Sequence, residues 1–308
     1  SPRLGISHPI TNQSKLYFNY GHFHSTPSST FRYRLQREYN GQVTSIGNPN
    51  MELEQTIAYE LGYSHSIMEN YLINISTYYK DVSSQPGWVR YTSFDGAVNY
   101  IKAENNNYED IRGIELTLEK LKGRWFTGFV NYTYMAQTSG YFGLRLYHEN
   151  PKLQEEYIKD NPMDTRTIPR PYGRMNLTFH TPDSYGPRIA GIYPLQSWNL
   201  SVLGSYKAGS SSEVDVEGRK ENFYLSWVDS YNLTAKLSRT FSSKMGKVEF
   251  FANVSNLLDT KWLSSTGFSD SYDRTDYINS LRLPWEEETE HGDDKLGYYR
   301  EWDVEYRE

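Results

Sequence analysis

Short stretches in which apolar and polar residues alternate recur along the whole chain. In Trp198–Tyr206, for example, Leu200 and Val202 fall on one face of an extended chain and Ser201 and Ser205 on the other. Because successive side chains of a β-strand point to opposite faces, each such stretch predicts a strand with one apolar and one polar face. Ten stretches follow this pattern: Leu4–Ile10, Lys15–Phe23, Ile57–His65, Tyr71–Lys80, Gly113–Glu119, Trp125–Ala136, Arg174–Phe179, Trp198–Tyr206, Tyr231–Leu237 and Val248–Thr260.

The chemistry of the two faces distinguishes a membrane sheet from a soluble one. The apolar face often ends in Tyr or Trp, as at Tyr79, Tyr134 and Trp198, while the polar face is rich in Asn, Ser, Thr and small residues. A lipid-facing surface carries such aromatic ends near the headgroups, and a wet lumen carries such a lining. The pattern predicts an all-β fold, a transmembrane antiparallel up-and-down β-barrel. A secreted all-β protein with a charged outer face is the alternative.

The connections between the predicted strands alternate between short and long. Short turns are predicted at Thr11–Ser14, Ser66–Asn70, Leu121–Arg124 and Ser243–Lys247, and long polar loops near 26–50, 82–96, 138–169, 208–227 and 260–308. One connection, near 181–196, is longer than the short turn expected there. Short turns at one end and long loops at the other are typical of outer-membrane barrels. A propeller would show a repeat of fixed period, and the sequence shows none.

Composition narrows the class of protein further. Aromatic residues make up 16% of the 308 residues, with 28 Tyr and 7 Trp, although only 37% of the chain is hydrophobic. No stretch approaches the roughly 18–20 uninterrupted apolar residues of a membrane helix, which excludes a helical membrane protein. The net charge is -6 without a basic block, so nucleic acid is not an expected partner. The absence of Cys excludes disulfide scaffolds and thiolate metal sites, and it suits a protein that crosses an oxidising periplasm.

The two ends of the sequence predict a piece of a larger barrel. Ser1–Ile6 shows no basic start followed by an apolar run, so no signal peptide is expected there. Trp302–Glu308 is a charged stretch that could form at most the beginning of another strand. An open sheet of ten strands would leave unpaired backbone groups in lipid, each at a cost of several kcal/mol. We therefore expect the closing strand to lie outside this chain.

Three segments carry more specific motifs. Residues Asn253–Trp262 have the sequence NVSNLLDTKW, residues Gly47–Glu54 have the sequence GNPNMELE and are followed by YELGY, and Asn105–Leu116 end in IRGIEL. The first segment resembles the N-x-x-N-L-F-D-x-x-Y/W segment in the penultimate strand of TonB-dependent outer-membrane transporters, with Leu258 in place of Phe. The second is similar to the G-N-P-x-L-x-P-E and Y-E-L-G pair of this family, with Leu53 where Pro often stands.

The third segment resembles N-x-G-x-A-x-x-x-G-V-E-L of the same family, although Asn107 replaces the first Gly and Glu109 the Ala. The resemblance covers most of the chain. It implies a roughly 22-stranded barrel around a plugged lumen. Residues 1–308 would then be a fragment of about ten strands from its C-terminal part, with the N-terminal plug and the final closing strand absent.

The same resemblance implies active import without catalysis. A scarce nutrient, such as an iron chelate, cobalamin, a saccharide or a peptide, would bind the outer loops. TonB, the energy-coupling protein of the inner membrane, would act through the absent N-terminal part. The implied partners are TonB, outer-membrane lipid and a small ligand whose identity is open. A passive porin, which needs neither plug nor energy, and a secreted glycan-binding β-protein remain as alternatives.

Candidate chemistry is sparse, and we predict neither an enzyme nor a cofactor or metal site. The chain lacks the G-x-S-x-G, H-E-x-x-H and phosphate-loop motifs. His22 and His24 share one face of a strand, but histidines at an interface or in a loop are the simpler interpretation. A solvated loop likewise explains the acidic residues Glu286, Glu287, Glu288, Glu290, Asp293 and Asp294.

Aromatic and Arg residues in two of the predicted loops are the only candidate ligand contacts. One loop carries Phe31, Tyr33 and Arg34, and the other carries Trp88, Arg90 and Tyr91. Aromatic rings stack on sugars and Arg holds anionic chelates, so these residue types suit ligands of both classes. The alternative is that the six side chains pack the loops against each other.

Overall fold

The computed structural model describes residues 1–160, 167–189, 193–214, 223–243, 246–263, 267–268, 270–281 and 294–298. These residues form strands and three short helices: β1 (Arg3–Thr11), β2 (Ser14–Ser25), α1 (Ser29–Tyr33), β3 (Leu35–Arg37), β4 (Val43–Ile46), β5 (Glu54–Ile67), β6 (Tyr71–Thr92), β7 (Asn99–Lys120), β8 (Phe126–Tyr141), β9 (Leu146–His148), α2 (Pro151–Asp160), β10 (Thr167–Pro169), β11 (Tyr172–His180), β12 (Trp198–Lys207), β13 (Ser211–Val214), β14 (Phe223–Ser226), β15 (Ser230–Ser243), β16 (Gly246–Val254) and α3 (Ser271–Asn279).

The strands form one 14-stranded sheet and a separate hairpin of β13 and β14. Ten strands follow each other in the order β1-β2-β5-β6-β7-β8-β11-β12-β15-β16, and β3, β4, β9 and β10 attach to this path. Each of the ten overlaps one of the stretches predicted from the alternation, so the up-and-down arrangement is confirmed. Three predicted short turns are confirmed as well: β1 ends at Thr11 and β2 begins at Ser14, β5 and β6 are joined by residues 68–70, and β7 and β8 by residues 121–125. Residues 244 and 245 of the predicted turn Ser243–Lys247 lie outside the described residues.

The strand register places apolar residues beside apolar ones. In the β12–β15 pair, Leu200 lies opposite Leu237 and Val202 opposite Ala235. On the other face, Ser205 lies opposite Asn232. Because a shift of one residue would move every side chain to the wrong face, the two-faced pattern of the sequence fixes this register.

The apolar face of the sheet is not a buried core. Leu61, Ile75 and Leu116 are 45%, 44% and 45% exposed. The buried apolar residues lie instead towards the loop end of the strands. They are Met51, Val82, Val89 and Ala103 in the first unit, and the cluster of Leu225, Trp227, Leu281 and Leu296 in the second. A soluble sandwich buries its apolar faces against each other, so this arrangement does not match that alternative. Among the described residues, no helix is long and apolar enough to cross a membrane.

The chain divides into two compact units. The first comprises Ser1–His65, Asn74–Glu115 and Tyr134–Pro169, and the second comprises Ser66–Ile73, Leu116–Thr133 and Arg170–Glu308. The first unit contains the long loop-end extensions of β6 and β7 with their attached short strands. The second contains β11, β12, β15, β16 and the cluster of Leu225, Trp227, Leu281 and Leu296, against which Phe268, Tyr277 and Ile278 pack.

Aromatic rings line both ends of the apolar face. At the loop end of the first unit, the Tyr20 and Tyr59 rings are 5.1 Å apart and the Tyr59 and Tyr79 rings 6.3 Å. In the second unit, the ring centres of Tyr206 and Tyr231 are 5.2 Å apart at the loop end. Trp198, at the turn end of β12, is eight residues from Tyr206. At about 3.3 Å per residue and a tilt of about 40°, these rings are separated by roughly 20 Å along the membrane normal. That height is close to the apolar band of an outer-membrane barrel.

Several predicted boundaries were wrong. The predicted loop at 82–96 is mostly strand, because β6 continues to Thr92 and pairs with β9 at that end. The predicted last strand ends at Val254 rather than Thr260, because Asn256 and Asp259 have φ angles of 50° and 47°, which a strand cannot contain. The predicted loops at 26–50 and 138–169 contain short helices and strands. The charged end Trp302–Glu308 and the acidic residues Glu286, Glu287, Glu288, Glu290 and Asp293 lie outside the described residues.

Candidate functional site

The most elaborate part of the first unit is the loop-end extension of the β6–β7 hairpin. Both strands have 22 residues, about twice the 9–11 that cross a bilayer. β4, from the connection after β2, pairs in parallel with β7 through Ser45 and Ile101. β9, from the connection after β8, pairs in parallel with β6, with Tyr91 beside Tyr147. Two loops therefore add a strand to opposite edges of the same hairpin.

Helix α1 places an aromatic ring and a guanidinium beside Trp88 on this hairpin. The Phe31 and Trp88 rings are 5.2 Å apart at an angle of 32°. The Arg34 guanidinium lies 5.7 Å from the Trp88 ring, and its Nη2 donates to Gln36 Oε1 at 2.6 Å. Arg34 is exposed, so its cation can still bind an anionic group from solvent.

Gly47 holds α1 in this position. Its N–H donates to the Arg34 carbonyl at 2.6 Å, and the next N–H, of Asn48, donates to the Phe31 carbonyl at 2.8 Å. A Cβ at residue 47 would lie 2.8 Å from backbone atoms of Phe31, Arg32 and Arg34. Only Gly permits this approach, so the GNP segment positions the Phe31–Arg34–Trp88 group.

Tyr91 belongs to a second group, formed by three rings on neighbouring strands. Its ring stacks on Tyr100 at 5.5 Å and on Tyr147 at 5.4 Å. The Tyr91 hydroxyl donates to Glu104 Oε1 at 3.5 Å, and the same oxygen pairs with Lys102 Nζ at 2.6 Å. This ladder fixes the hairpin and β9 in register.

The hairpin tip beyond these rings carries Asp95. Two groups donate hydrogen bonds to Asp95 Oδ1: the Ser93 hydroxyl at 2.7 Å and the Ala97 N–H at 3.0 Å. The Ser93 hydroxyl and then the Ala97 amide hold the pKa of the Asp95 carboxyl below its ordinary value. Asp95 is therefore a negative charge at the tip under ordinary conditions.

The structure separates the six predicted contact residues. Phe31, Arg34 and Trp88 come together, whereas Tyr91 lies in the tyrosine ladder. Tyr33 is 64% exposed and contacts the Arg32 guanidinium. The assignment of Trp88, Arg90 and Tyr91 to a loop was wrong, because β6 contains all three. Phe31 and Tyr33 lie in the predicted connection after β2, within helix α1.

Sequence reasoning missed Tyr100, Glu104 and Tyr147. Tyr100, Lys102 and Glu104 alternate along β7, and this spacing could have indicated a strand that places them on one face. Tyr147 gave no such signal, because β9 has only three residues.

The second unit has a polar cleft at the loop end of β12 and β15. Its volume is about 330 Å³, and its lining consists of Ser205, Lys207, Ser230, Tyr231, Asn232, Asn256, Thr260 and Trp262. The turn that covers it is the NVSNLLDTKW segment. Asn256 Oδ1 accepts from the Thr260 N–H at 3.1 Å, and Thr260 Oγ1 donates to the Tyr231 carbonyl at 3.0 Å. This segment therefore caps the end of β15.

The histidines show ordinary side-chain contacts. His22 Nε2 pairs with the Tyr20 hydroxyl and its Nδ1 with Gln55 Nε2, while His24 Nδ1 contacts Ser1 Oγ at 3.2 Å. Within the described part of the chain, no group of three or more His, Asp or Glu side chains could hold a metal ion.

An antiparallel sheet with an exposed apolar face, rings at both of its ends and a polar opposite face defines a transmembrane β-barrel. The chain belongs to the TonB dependent receptor-like, beta-barrel family, whose sequence profile matches residues 1–257. Members of this family lie in the bacterial outer membrane and are transporters rather than enzymes. The apolar face is thus the lipid face and the polar face the lumen face.

Three solved structures with the same fold are transporters. The copper transporter OprC is 16% identical, with a TM-score of 0.52 over 84% of this chain and 33% of that one. The FrpB iron transporter from Neisseria meningitidis (F3-3 variant) is 14% identical, with a TM-score of 0.50 over 84% of this chain and 35% of that one. The outer membrane transporter YddB from Escherichia coli is 12% identical, with a TM-score of 0.50 over 81% and 35%.

At these identities the likeness shows the fold alone. The chain spans about a third of the length of each of these transporters. No curated protein matched by sequence.

Proposed function

We propose that the chain is the C-terminal part of the barrel of an active outer-membrane importer. The remainder of the barrel and an N-terminal plug would lie elsewhere in the full-length protein, and TonB would act through that plug. The family match over residues 1–257 carries this proposal. The fraction of the solved transporters that the chain spans supports it further.

The ligand would first meet the Phe31–Arg34–Trp88 group. Its rings offer a stacking surface, and Arg34 offers a fork of donors for a carboxylate or another anion. This combination suits a ligand with both a flat or sugar-like part and an anionic part. The polar lumen face of the first unit, with Asn19 and Glu60 among its side chains, would provide a wet path below it.

The proposal is tested by uptake into cells that express the full-length gene. Labelled ferric chelates, cobalamin, oligosaccharides and peptides are offered in turn to a host without its own receptor for each, with TonB and without it. We expect one class to accumulate only when TonB is present. Uptake that persists without TonB would instead support a passive channel, and the protein in the soluble fraction would contradict the membrane assignment.

The contribution of the Phe31–Arg34–Trp88 group is tested with Trp88→Ala and Arg34→Ala. Central aromatic and Arg contacts cost about 2 kcal/mol or more on truncation, which corresponds to a roughly thirty-fold weaker affinity. Binding of the transported ligand to intact cells measures the effect. Tyr39→Ala is the matched control, since this loop tyrosine is fully exposed and should leave the affinity unchanged. Equal losses in all three variants would contradict the assignment.

A further inference from the structure

The lipid face of the second unit carries cations as well as rings at the ends of the strands that lie on the side of the short turns. We call this set the turn-side rim. Its members are Tyr71, Lys120, Phe126, Phe179, Trp198, Arg239 and Phe241. In outer-membrane barrels the short turns face the periplasm, so the rim lies at the level of the periplasmic leaflet.

Lys120, the last residue of β7, extends over two rings of the rim. Its Nζ lies 3.9 Å from the Phe126 ring centre and 4.7 Å from that of Tyr71, and it donates to the Tyr71 hydroxyl at 2.8 Å. Leu116 and Leu118 precede it on the same face and are each 45% exposed. The aliphatic stem of Lys120 thus continues the lipid face while its ammonium reaches the headgroup level.

Arg239 forms the corresponding group on β15. Its guanidinium lies 4.5 Å from the Phe241 ring and 5.5 Å from Trp198, which is opposite it in the register. Nη2 donates to the Tyr193 carbonyl at 3.2 Å. Trp198 Nε1 is directed to another carbonyl, that of Pro194, at 2.9 Å. The guanidinium is therefore fixed in position by rings and a neutral acceptor.

Strand register places the two cationic groups at the same, turn-side end of neighbouring strands. Phe126 lies opposite Phe179 in the β8–β11 pair, and Phe179 lies opposite Leu200 in the β11–β12 pair. Leu200 is two residues from Trp198, the partner of Arg239. Lys120 and Arg239 consequently belong to one continuous rim.

No carboxylate neutralises these cations in the described part of the chain. The ion pairs there are Lys102–Glu104 and Lys236–Glu249, and neither includes Lys120 or Arg239. A cation on the lipid face destabilises the barrel strongly at the bilayer midplane and much less near the interface, where a phosphate can approach it. The positive charge of the rim is complementary to a phosphodiester.

We propose that the turn-side rim binds the phosphodiester headgroups of anionic glycerophospholipids in the periplasmic leaflet. Lys120 and Arg239 would contact the phosphate oxygens, and the rings beside them would pack on the glycerol and the first acyl carbons. The inference depends on the outer-membrane placement of the sheet and not on the identity of the transported ligand.

The test is a lipid titration of the full-length protein in detergent, read by native mass spectrometry. The probes are dioleoyl phosphatidylglycerol, dioleoyl phosphatidylcholine and dioleoylglycerol, which has no phosphate. We expect phosphatidylglycerol to be retained most and dioleoylglycerol least. Lys120→Gln and Arg239→Gln should each weaken phosphatidylglycerol binding about five-fold, the effect typical of one basic residue near an anionic surface. Lys120→Arg and Arg239→Lys should retain it.

Arg3→Gln is the matched control, because Arg3 also lies over a ring, Phe23 at 4.7 Å, but on the lumen face. It should leave lipid retention unchanged. The heat-dependent gel mobility of each variant confirms that the barrel has folded. Equal retention of dioleoylglycerol and phosphatidylglycerol, or wild-type retention by the double Gln variant, would overturn the proposal. Displacement of the lipid by inorganic phosphate alone would assign the rim to free phosphate and overturn it as well.

Discussion

At the scale of single residues, the absence of a side chain matters as much as its presence. Gly128 has a φ of +146°, and a Cβ there would lie 2.1 Å from the Asn176 carbonyl oxygen and 2.9 Å from the Leu177 Cα. Both atoms belong to the backbone of β11, opposite Gly128 in the register. Because backbone atoms cannot rotate away as a side chain can, the β8–β11 pair depends on Gly at this position.

We expect Gly128→Ala to lower the free energy of unfolding by about 3 kcal/mol, from the steric overlap and the strained φ together. The measurement is the temperature at which the full-length barrel loses its folded gel mobility. Gly5→Ala is the control, since its Cβ would meet Asn19 Oδ1 at an ordinary 3.4 Å. A Gly128→Ala barrel as stable as Gly5→Ala would show that β8 and β11 can move apart without cost.

At the scale of elements, Asn105 joins the second and third family-like segments. Its Oδ1 accepts from the Glu52 N–H at 2.9 Å, and its Nδ2 donates to the Glu52 carbonyl at 3.2 Å and to the Ser84 carbonyl at 2.7 Å. The side-chain amide thus pairs with the backbone as a neighbouring strand would. It fixes the segment between β4 and β5 to the extended β6–β7 hairpin.

Asn105→Asp keeps the acceptor oxygen and removes both donated hydrogen bonds. We expect residues 47–53 to exchange their amide hydrogens about ten-fold faster, since two carbonyls lose a partner at a net cost of about 1–2 kcal/mol. Hydrogen exchange read by mass spectrometry on the full-length protein gives the rate. Asn40→Asp at the exposed tip of the same loop serves as the control. Unchanged exchange in Asn105→Asp would mean that β4 alone holds the segment.

At the scale of the whole molecule, the asymmetry of connections gives the sheet a direction across the membrane. Tyr39 lies in a long connection, and Gln13 in the short turn between β1 and β2. Short turns face the periplasm in outer-membrane barrels, so the two residues should lie on opposite sides. The chain has no cysteine, so a single cysteine introduced at either position reports on which side of the membrane that position lies.

We predict that Tyr39→Cys reacts with a membrane-impermeant maleimide on intact cells, and that Gln13→Cys reacts only after the outer membrane is opened. Labelling is measured on the full-length protein, with any cysteine outside these residues replaced. Wild-type residues at both positions provide the blank. Reaction of Gln13→Cys on intact cells would reverse the orientation, and with it the leaflet assigned to the turn-side rim.

The sequence alone determined the ten main strands, their two faces and the short turns. It could do so because the period of two is a local signal, and because lipid on one side and water on the other require opposite chemistry. The resemblance of Asn253–Trp262, Gly47–Glu54 and Asn105–Leu116 indicated the family that the match over residues 1–257 then showed.

Only the tertiary structure decided how the loops are arranged. β4 and β9 are too short for a periodic signal, and they form because the edges of the β6–β7 hairpin offer unpaired N–H and C=O groups. The same contacts bring Phe31 beside Trp88 and place Tyr91 in another group, although the sequence predicted all three alike as ligand contacts. Contacts between loops arise from residues distant in sequence, and no local pattern encodes them.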